Sequence, residues 1–345
     1  MNTTPQSPRG GRETGQEPSS SLTVAELYLQ RADFHRAKAL LKRRLARGGG
    51  DFKTKLLLGI SQARLGQFAK AAAVFSRLDA QSKAISQQEK CRFNLGLVKC
   101  YQDLAVVGDC SVARYWGPLP GQPLNGTQPV LSQPFAESIS IWRGLARRRC
   151  SSKNLILTYL AFAYMQTGQL DQAIKAIMEA LARSESFYIT HFVLGRIFLD
   201  LYFLALEGNH FGISPDAATF FEVEHYEVLR REKGRLIVEK NTFLDIAMQA
   251  FLEGRNLNPG AAEISLGLTQ TYLLAGMLEE AHEALGYAES LAQDSLAVME
   301  TSLFFQEALQ VQPEVIRALV AKIGQIRRKE PGPQIYTILP PYYLY

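Results

Sequence analysis

The chain has 345 residues, of which 47% are hydrophobic and 21% are charged, and its formal net charge is +5. This apolar fraction is ample for a buried core and excludes disorder over most of the length. The charge is too small to indicate a nucleic-acid partner by itself. A chain of this size can form two or three ordinary domains or one repeat array.

The start of the sequence predicts a disordered leader over residues 1–17, which are rich in Ser, Thr, Pro, Gly and Gln. This stretch lacks the apolar core of a signal peptide, so we expect a cytoplasmic protein. The most apolar stretch, residues 192–206, is too short for a membrane span and contains charged residues, so no transmembrane segment is predicted. The cysteines have no zinc spacing and no Cys-x-x-Cys pair, which favours reduced thiols. They are Cys91, Cys100, Cys110 and Cys150.

Small and large apolar residues recur along the chain at a period of about 34 residues. The clearest copies are Ala161–Tyr164–Gly168–Leu170–Ala173–Ile177 and Thr269–Tyr272–Gly276–Leu278–Ala281–Leu285. Such a pattern predicts stacked pairs of antiparallel helices and not a closed catalytic domain, because small residues let two helices approach closely. A recurring glycine marks where the first helix of a pair ends in a left-handed residue. This glycine recurs as Gly66, Gly168 and Gly276.

This pattern resembles that of the tetratricopeptide repeat (TPR) family, although the family's usual tryptophan near the start of each repeat is absent. The resemblance implies an all-α, right-handed superhelical solenoid of TPR-type antiparallel helix pairs. We expect the solenoid over residues 18–295, with two repeats interrupted by inserts. The repeats are predicted near residues 18–51, 52–85, 89–153, 154–187, 188–261 and 262–295.

The first insert, residues 104–134, is rich in Pro and Gly and cannot be helical throughout. The second helix of that repeat is then expected around residues 135–145. The second insert, residues 206–241, is predicted to hold a loop near residues 208–212 and a charged helix over residues 215–240. It is followed by a second helix around residues 247–254.

The C-terminal region is predicted to form a capping helix pair over residues 296–330, which shields the end of the solenoid. Residues 331–345 form an apolar tail rich in Tyr and Pro. Because apolar side chains are unfavourable in water, we expect the tail to pack on this chain or on a partner.

The resemblance implies a partner groove, since the first helices of TPR repeats line the concave face. The implied groove is mostly apolar and fits an amphipathic helix or an extended apolar peptide. The alternative is that several of these side chains are core residues of a tightly wound superhelix. The residues are Leu56, Ile60, Phe93, Leu97, Tyr101, Phe162, Met165, Phe192 and Arg196.

Some TPR domains grip a C-terminal carboxylate with Lys, Arg and Asn at fixed groove positions. The matching positions here are Leu56, Ile60, Thr158 and Phe162, so this clamp is predicted to be absent; Asn94 is the one candidate asparagine. We also consider a self-binding hypothesis, in which residues 331–345 or the Pro-rich insert occupy the groove until a partner displaces them.

Basic runs near the ends of predicted second helices complement the helix dipole, which favours a solvated, structural role. A second interpretation is a basic edge that binds nucleic acid or an anionic surface. Its residues are Arg43, Arg44, Arg147, Arg148 and Arg149.

The sequence contains no phosphate loop, nucleophile elbow or dinucleotide fingerprint, so we predict no enzyme activity and no cofactor. His225 lies three residues after Glu222, but no second ligand pair completes a metal site. The function predicted first is a protein-interaction scaffold or adaptor. The alternatives are a regulator that binds nucleic acid or an anionic surface, and a self-assembling structural protein that uses the C-terminal tail.

Overall fold

The computed structural model describes residues 18–107, 133–183, 187–206, 212–213, 228–232, 235–292, 295–309, 321 and 343–344. The helices group into two compact units, one ending at Val74 and one from Phe75 to Leu344. The predicted all-α fold of antiparallel helix pairs is confirmed.

The first unit contains helices α1 (Pro18–Gln30), α2 (Phe34–Ala46) and α3 (Phe52–Arg64), and α4 (Phe68–Gln81) begins in it. Aspartates cap two of these helices. The Asp33 carboxylate accepts a hydrogen bond from the Arg36 N–H at 3.2 Å, and that of Asp51 accepts one from the Thr54 N–H at 2.7 Å. These bonds satisfy donors that a helix start leaves unpaired.

The second unit continues with α5 (Ile85–Val107), which extends four residues into the predicted first insert. The helices that follow are α6 (Ala136–Ala146), α7 (Lys153–Gln166), α8 (Leu170–Leu181), α9 (Tyr188–Leu206), α10 (Lys240–Leu257), α11 (Ala262–Leu274), α12 (Leu278–Leu291) and α13 (Leu296–Ala308). The packed pairs are α5–α6, α7–α8, α9–α10 and α11–α12. The second helix predicted for the capping pair lies outside the described residues, apart from residue 321.

Three glycines end the first helices of their pairs in the left-handed region, as the repeat pattern predicts. Gly66, Gly168 and Gly276 have φ angles of 68°, 71° and 77°. In each turn the next residue donates its N–H back into the helix, as Gln169 does to the Tyr164 carbonyl at 2.9 Å. This geometry closes the end of a helix and starts the return helix.

The two interrupted repeats form their helix pairs across the inserts, because bulky aromatic side chains on the second helices fill spaces left by glycines. A Cβ added at Gly96 on α5 would lie 2.5 Å from the Trp142 indole nitrogen on α6. Phe251 on α10 packs in the same way against Gly195 on α9 and Gly267 on α11. One aromatic ring therefore joins its own repeat to the next repeat.

The charged helix predicted over residues 215–240 is wrong where the structure describes that range. Residues there form strands β2 (Val228–Glu232) and β3 (Arg235–Val238), and β1 (Gly212–Ile213) completes an antiparallel sheet in the order β1-β3-β2. Branched apolar residues such as Ile237 and Val238 favour strands, and both of these are buried. The loop predicted near residues 208–212 is described only at Gly212, which belongs to β1. The Arg235 guanidinium pairs with the Asp171 carboxylate at 2.7 Å, which ties β3 to α8.

Helix α9 is more apolar than the other helices in the described part of the chain. Residues 192–206 alone are too short to cross a membrane, as the sequence predicts. The whole helix, Tyr188–Leu206, is long and apolar enough to do so. However, 72% of its most apolar window is buried within the protein. It packs on α7, α8, α10 and α11, which is the environment of a core helix.

Candidate functional site

The C-terminal end of the second unit lies against α5. The side-chain amide of Asn94 donates to the Leu344 carbonyl oxygen at 2.7 Å, and its oxygen accepts from the Leu344 N–H at 2.8 Å. An asparagine side-chain amide can present one of its two N–H donors and its oxygen side by side, as the N–H and C=O of a neighbouring strand are presented. The Asn94 side chain therefore pairs with the Leu344 main chain as the backbone of a neighbouring β-strand would.

The residue before this pair is buried. Tyr343 has 5% of its surface exposed, whereas Leu344 is only half-buried. A main-chain pair beside a buried aromatic side chain is the arrangement by which an extended peptide is commonly recognised. We call Asn94, Tyr343 and Leu344 the tail contact.

Aromatic packing fixes α5 beneath the tail contact. The Phe93 ring lies 5.7 Å from the ring of Tyr159 and 6.3 Å from that of Trp142, measured between centroids. The Trp142 indole N–H donates to the Phe93 carbonyl at 3.4 Å. Because Phe93 precedes Asn94, these contacts hold the Asn94 backbone in one position.

Polar contacts also tie α5 to its neighbours. The buried Glu89 carboxylate accepts from the Ser152 N–H at 3.0 Å, beside the start of α7. Lys99 pairs with Glu137 of α6 at 2.9 Å. Asn94 thus lies on a helix that its neighbours hold from two sides.

No protein-family model matches the sequence, and no curated protein matches it. A solved structure of an IFIT1 monomeric mutant with m7Gppp-AAAA is 14% identical, with a TM-score of 0.59 over 91% of this chain. This chain spans 59% of that structure's length. A tetratricopeptide repeat protein from Parabacteroides merdae is 12% identical over 90% of this chain and 100% of its own, with a TM-score of 0.44.

The chain has a TPR-like fold. This agrees with the helix pairs and the glycine turns described above. The first helices of the TPR-like pairs in the second unit include α5, α7, α9 and α11, and Asn94 belongs to the first of these.

The nine residues predicted to line the TPR groove are all buried. Each has at most 4% of its surface exposed. The Phe93 ring packs against Trp142 and Tyr159, and the centroid of the Phe192 ring lies 5.9 Å from that of Phe251. Phe93 and Phe192 therefore face neighbouring aromatic rings in the core. The structure thus agrees with the core alternative for these two, and a role of the nine in partner binding stays a prediction. The others are Leu56, Ile60, Leu97, Tyr101, Phe162, Met165 and Arg196.

Buried polar bonds join the first helices of successive pairs in the second unit. The Thr158 and Thr190 hydroxyls lie 2.9 Å apart, linking α7 to α9. Arg196 of α9 donates to the Gln270 side-chain oxygen of α11 at 3.1 Å. Arg196 is therefore a contact between repeats in this structure.

The basic residues have different surroundings. Arg44 is partly buried and donates to Ser21, Thr54 and Asp51 at 3.0 to 3.1 Å, so it is tied into the first unit. Burial alone would raise the pKa of Asp51, but hydrogen bonds from Thr54 and Arg44 lower the pKa below its usual value. The other four residues of the predicted basic edge are exposed, namely Arg43, Arg147, Arg148 and Arg149. A binding role for the basic edge stays a prediction.

The other chemistry-bearing residues give no site in the described part of the chain. It contains no group of three or more His, Cys, Asp or Glu that could hold a metal ion. Cys91, Cys100 and Cys150 form no disulfide there, and burial raises the pKa of Cys91 to about 12. Cys110, Glu222 and His225 lie outside the described residues.

Proposed function

We propose that this chain is a non-catalytic protein-interaction scaffold that binds an extended peptide segment at Asn94. In this proposal, its own C-terminal residues occupy the site when no partner is bound. The observation that supports it is the pair of hydrogen bonds between the Asn94 amide and the main chain of Leu344. A buried asparagine whose amide N–H and oxygen both face one residue's main chain can pair with any extended residue except proline.

The proposal combines an interaction scaffold with the self-binding hypothesis. The occupant is residues 343–344, with Tyr343 buried and Leu344 paired. The carboxylate clamp, which is predicted to be absent, is not needed, because the described contact is to main-chain groups. We keep a cytoplasmic location as part of the proposal.

The test uses full-length variants in which the tail is released by one substitution. Leu344→Pro removes the N–H that Asn94 accepts, and Leu344→Ala retains it. A fluorescent peptide with the sequence of residues 334–345 is titrated against each variant and followed by anisotropy. We expect Leu344→Pro to bind the peptide about tenfold more tightly than wild type, because an intramolecular competitor has been weakened. Leu344→Ala should bind like wild type.

Asn94 is then changed in the Leu344→Pro chain. Asn94→Leu removes both amide groups, and Asn94→Asp removes only the donor, so both variants should lose peptide binding. Circular dichroism and thermal unfolding check that each variant is folded. Equal affinities for wild type and Leu344→Pro, or full binding by folded Asn94→Leu, would contradict the proposal.

The same proteins distinguish the alternatives. If the tail binds a neighbouring molecule, light scattering will give a mass above 38.4 kDa for wild type that falls to the monomer value in Leu344→Pro. If the basic edge is the binding surface, the Arg147, Arg148 and Arg149 side chains should control binding, and the affinity should fall steeply as salt rises.

A further inference from the structure

One part of the tail contact accepts almost any residue, and another part can select a particular side chain. Asn94 contacts the N–H and the carbonyl of Leu344, which every residue except proline provides. Leu344 is half-buried, so many other side chains can be accommodated at this position. Tyr343 is 5% exposed, so the protein surrounds this aromatic ring almost completely.

The tail carries no formal charge from residue 334 to residue 344, since its sequence is Gln-Ile-Tyr-Thr-Ile-Leu-Pro-Pro-Tyr-Tyr-Leu. Recognition at Asn94 therefore relies on main-chain hydrogen bonds and on apolar burial. Interactions of this kind are only weakly screened by salt, in contrast to contacts between exposed charges.

We propose that the partner is a protein with an extended, uncharged segment in which tyrosine or phenylalanine comes directly before the residue paired with Asn94. The aromatic side chain selects the partner, and the paired residue contributes only its main chain. This inference rests on the proposed function and adds the sequence class of the segment that displaces the tail.

The test is a panel of peptides based on residues 334–345, titrated against the full-length Leu344→Pro protein. In the peptide, Tyr343→Phe should bind within about threefold of the parent, and Tyr343→Ala should lose about tenfold or more, because truncating a buried aromatic anchor is costly. Leu344→Ala and Leu344→Lys should each stay within about threefold. An N-methyl group on Leu344 removes only the N–H, and we expect a loss of about tenfold.

The remaining outcomes separate the two proposals. If the parent peptide binds but Tyr343→Ala binds equally well, the selection by an aromatic residue is wrong and the scaffold proposal survives. Equal binding of the N-methylated peptide would overturn the main-chain pairing at Asn94. Failure of the parent peptide to bind would overturn the proposed function together with this inference. A loss of affinity of more than about tenfold between 50 and 200 mM salt would also contradict it, because such a slope indicates charge contacts.

Discussion

Ala32 occupies a position at which three other repeats have glycine. Its φ angle is 58°, and its N–H donates to the Leu29 carbonyl at 3.2 Å, as Gly168 does to Met165 at 3.0 Å. The next residue, Asp33, donates back to the Tyr28 carbonyl at 2.8 Å. The turn thus forms with the same bonds but with a side chain in the left-handed region, which costs about 1–2 kcal/mol.

Glycine at residue 32 should therefore stabilise the protein. We expect Ala32→Gly to raise the free energy of unfolding by about 0.5–1 kcal/mol, because relief of backbone strain exceeds the extra entropy of an unfolded glycine. Gly168→Ala is the matched opposite, since a Cβ there meets no atom within 4 Å and only the backbone is strained. It should destabilise by about 1 kcal/mol. Urea unfolding measures both, and changes of the same sign would contradict this account.

At the scale of helices, the start of α6 depends on a carboxylate from α5. The Asp103 side chain accepts a hydrogen bond from the Phe135 N–H at 2.8 Å, and Phe135 has a φ angle of 64°. Burial raises the pKa of Asp103, and the nearby Glu137 carboxylate raises it further. The hydrogen bond from Phe135 and the Lys99 charge oppose this shift but do not cancel it.

This raised pKa predicts a pH dependence of stability. The folded state holds the Asp103 proton more tightly than the unfolded state, so this contribution is present below the ordinary pKa of about 3.9 and is lost as pH rises through the raised value. Asp103→Asn keeps an acceptor for Phe135 but cannot ionise. We expect its melting temperature to exceed that of wild type at pH 7 and to approach it near pH 4. A gap that widens toward acid pH would contradict the prediction.

The helix pairs were predictable because the period of about 34 residues is carried by residues that the packing itself requires. Gly96 and Trp142, for example, fit together only if α5 and α6 pair across the first insert. The strands β2 and β3 were missed because their charges, from Arg230 to Arg235, were interpreted as a solvated helix. The available signal was Gly234 between two runs with branched apolar residues, which is typical of a hairpin.

The candidate site was predictable only in part. The sequence singled out Asn94 as the one candidate asparagine and the tail as an apolar segment that must pack. It could not give the register, because the bond between residues 94 and 344 joins positions far apart in the chain and no periodicity links them. The groove positions were counted from the repeat, and this count does not distinguish an open face from side chains such as Phe93, which neighbouring helices bury.

At the scale of the whole molecule, the balance of energies decides whether the tail can be displaced. Fixing the backbones of Tyr343 and Leu344 on α5 costs about 1–2 kcal/mol for each residue. Burial of Tyr343 contributes about 2–3 kcal/mol, and the two hydrogen bonds about 1 kcal/mol each. The net stability of the tail contact is then about 1–2 kcal/mol, which a partner peptide can exceed.

Hydrogen exchange at the Leu344 amide tests this balance directly. An opening free energy of about 1.4 kcal/mol slows exchange about tenfold relative to an unstructured peptide. We expect Asn94→Leu to abolish this protection in the full-length chain, because its side chain cannot accept the Leu344 N–H. Leu344→Ala retains the N–H, so the amide at residue 344 should keep its protection. A protection factor above about 1,000 would mean that the tail is a permanent part of the fold, since opening would then cost more than about 4 kcal/mol. A partner could not displace such a tail at ordinary peptide affinities.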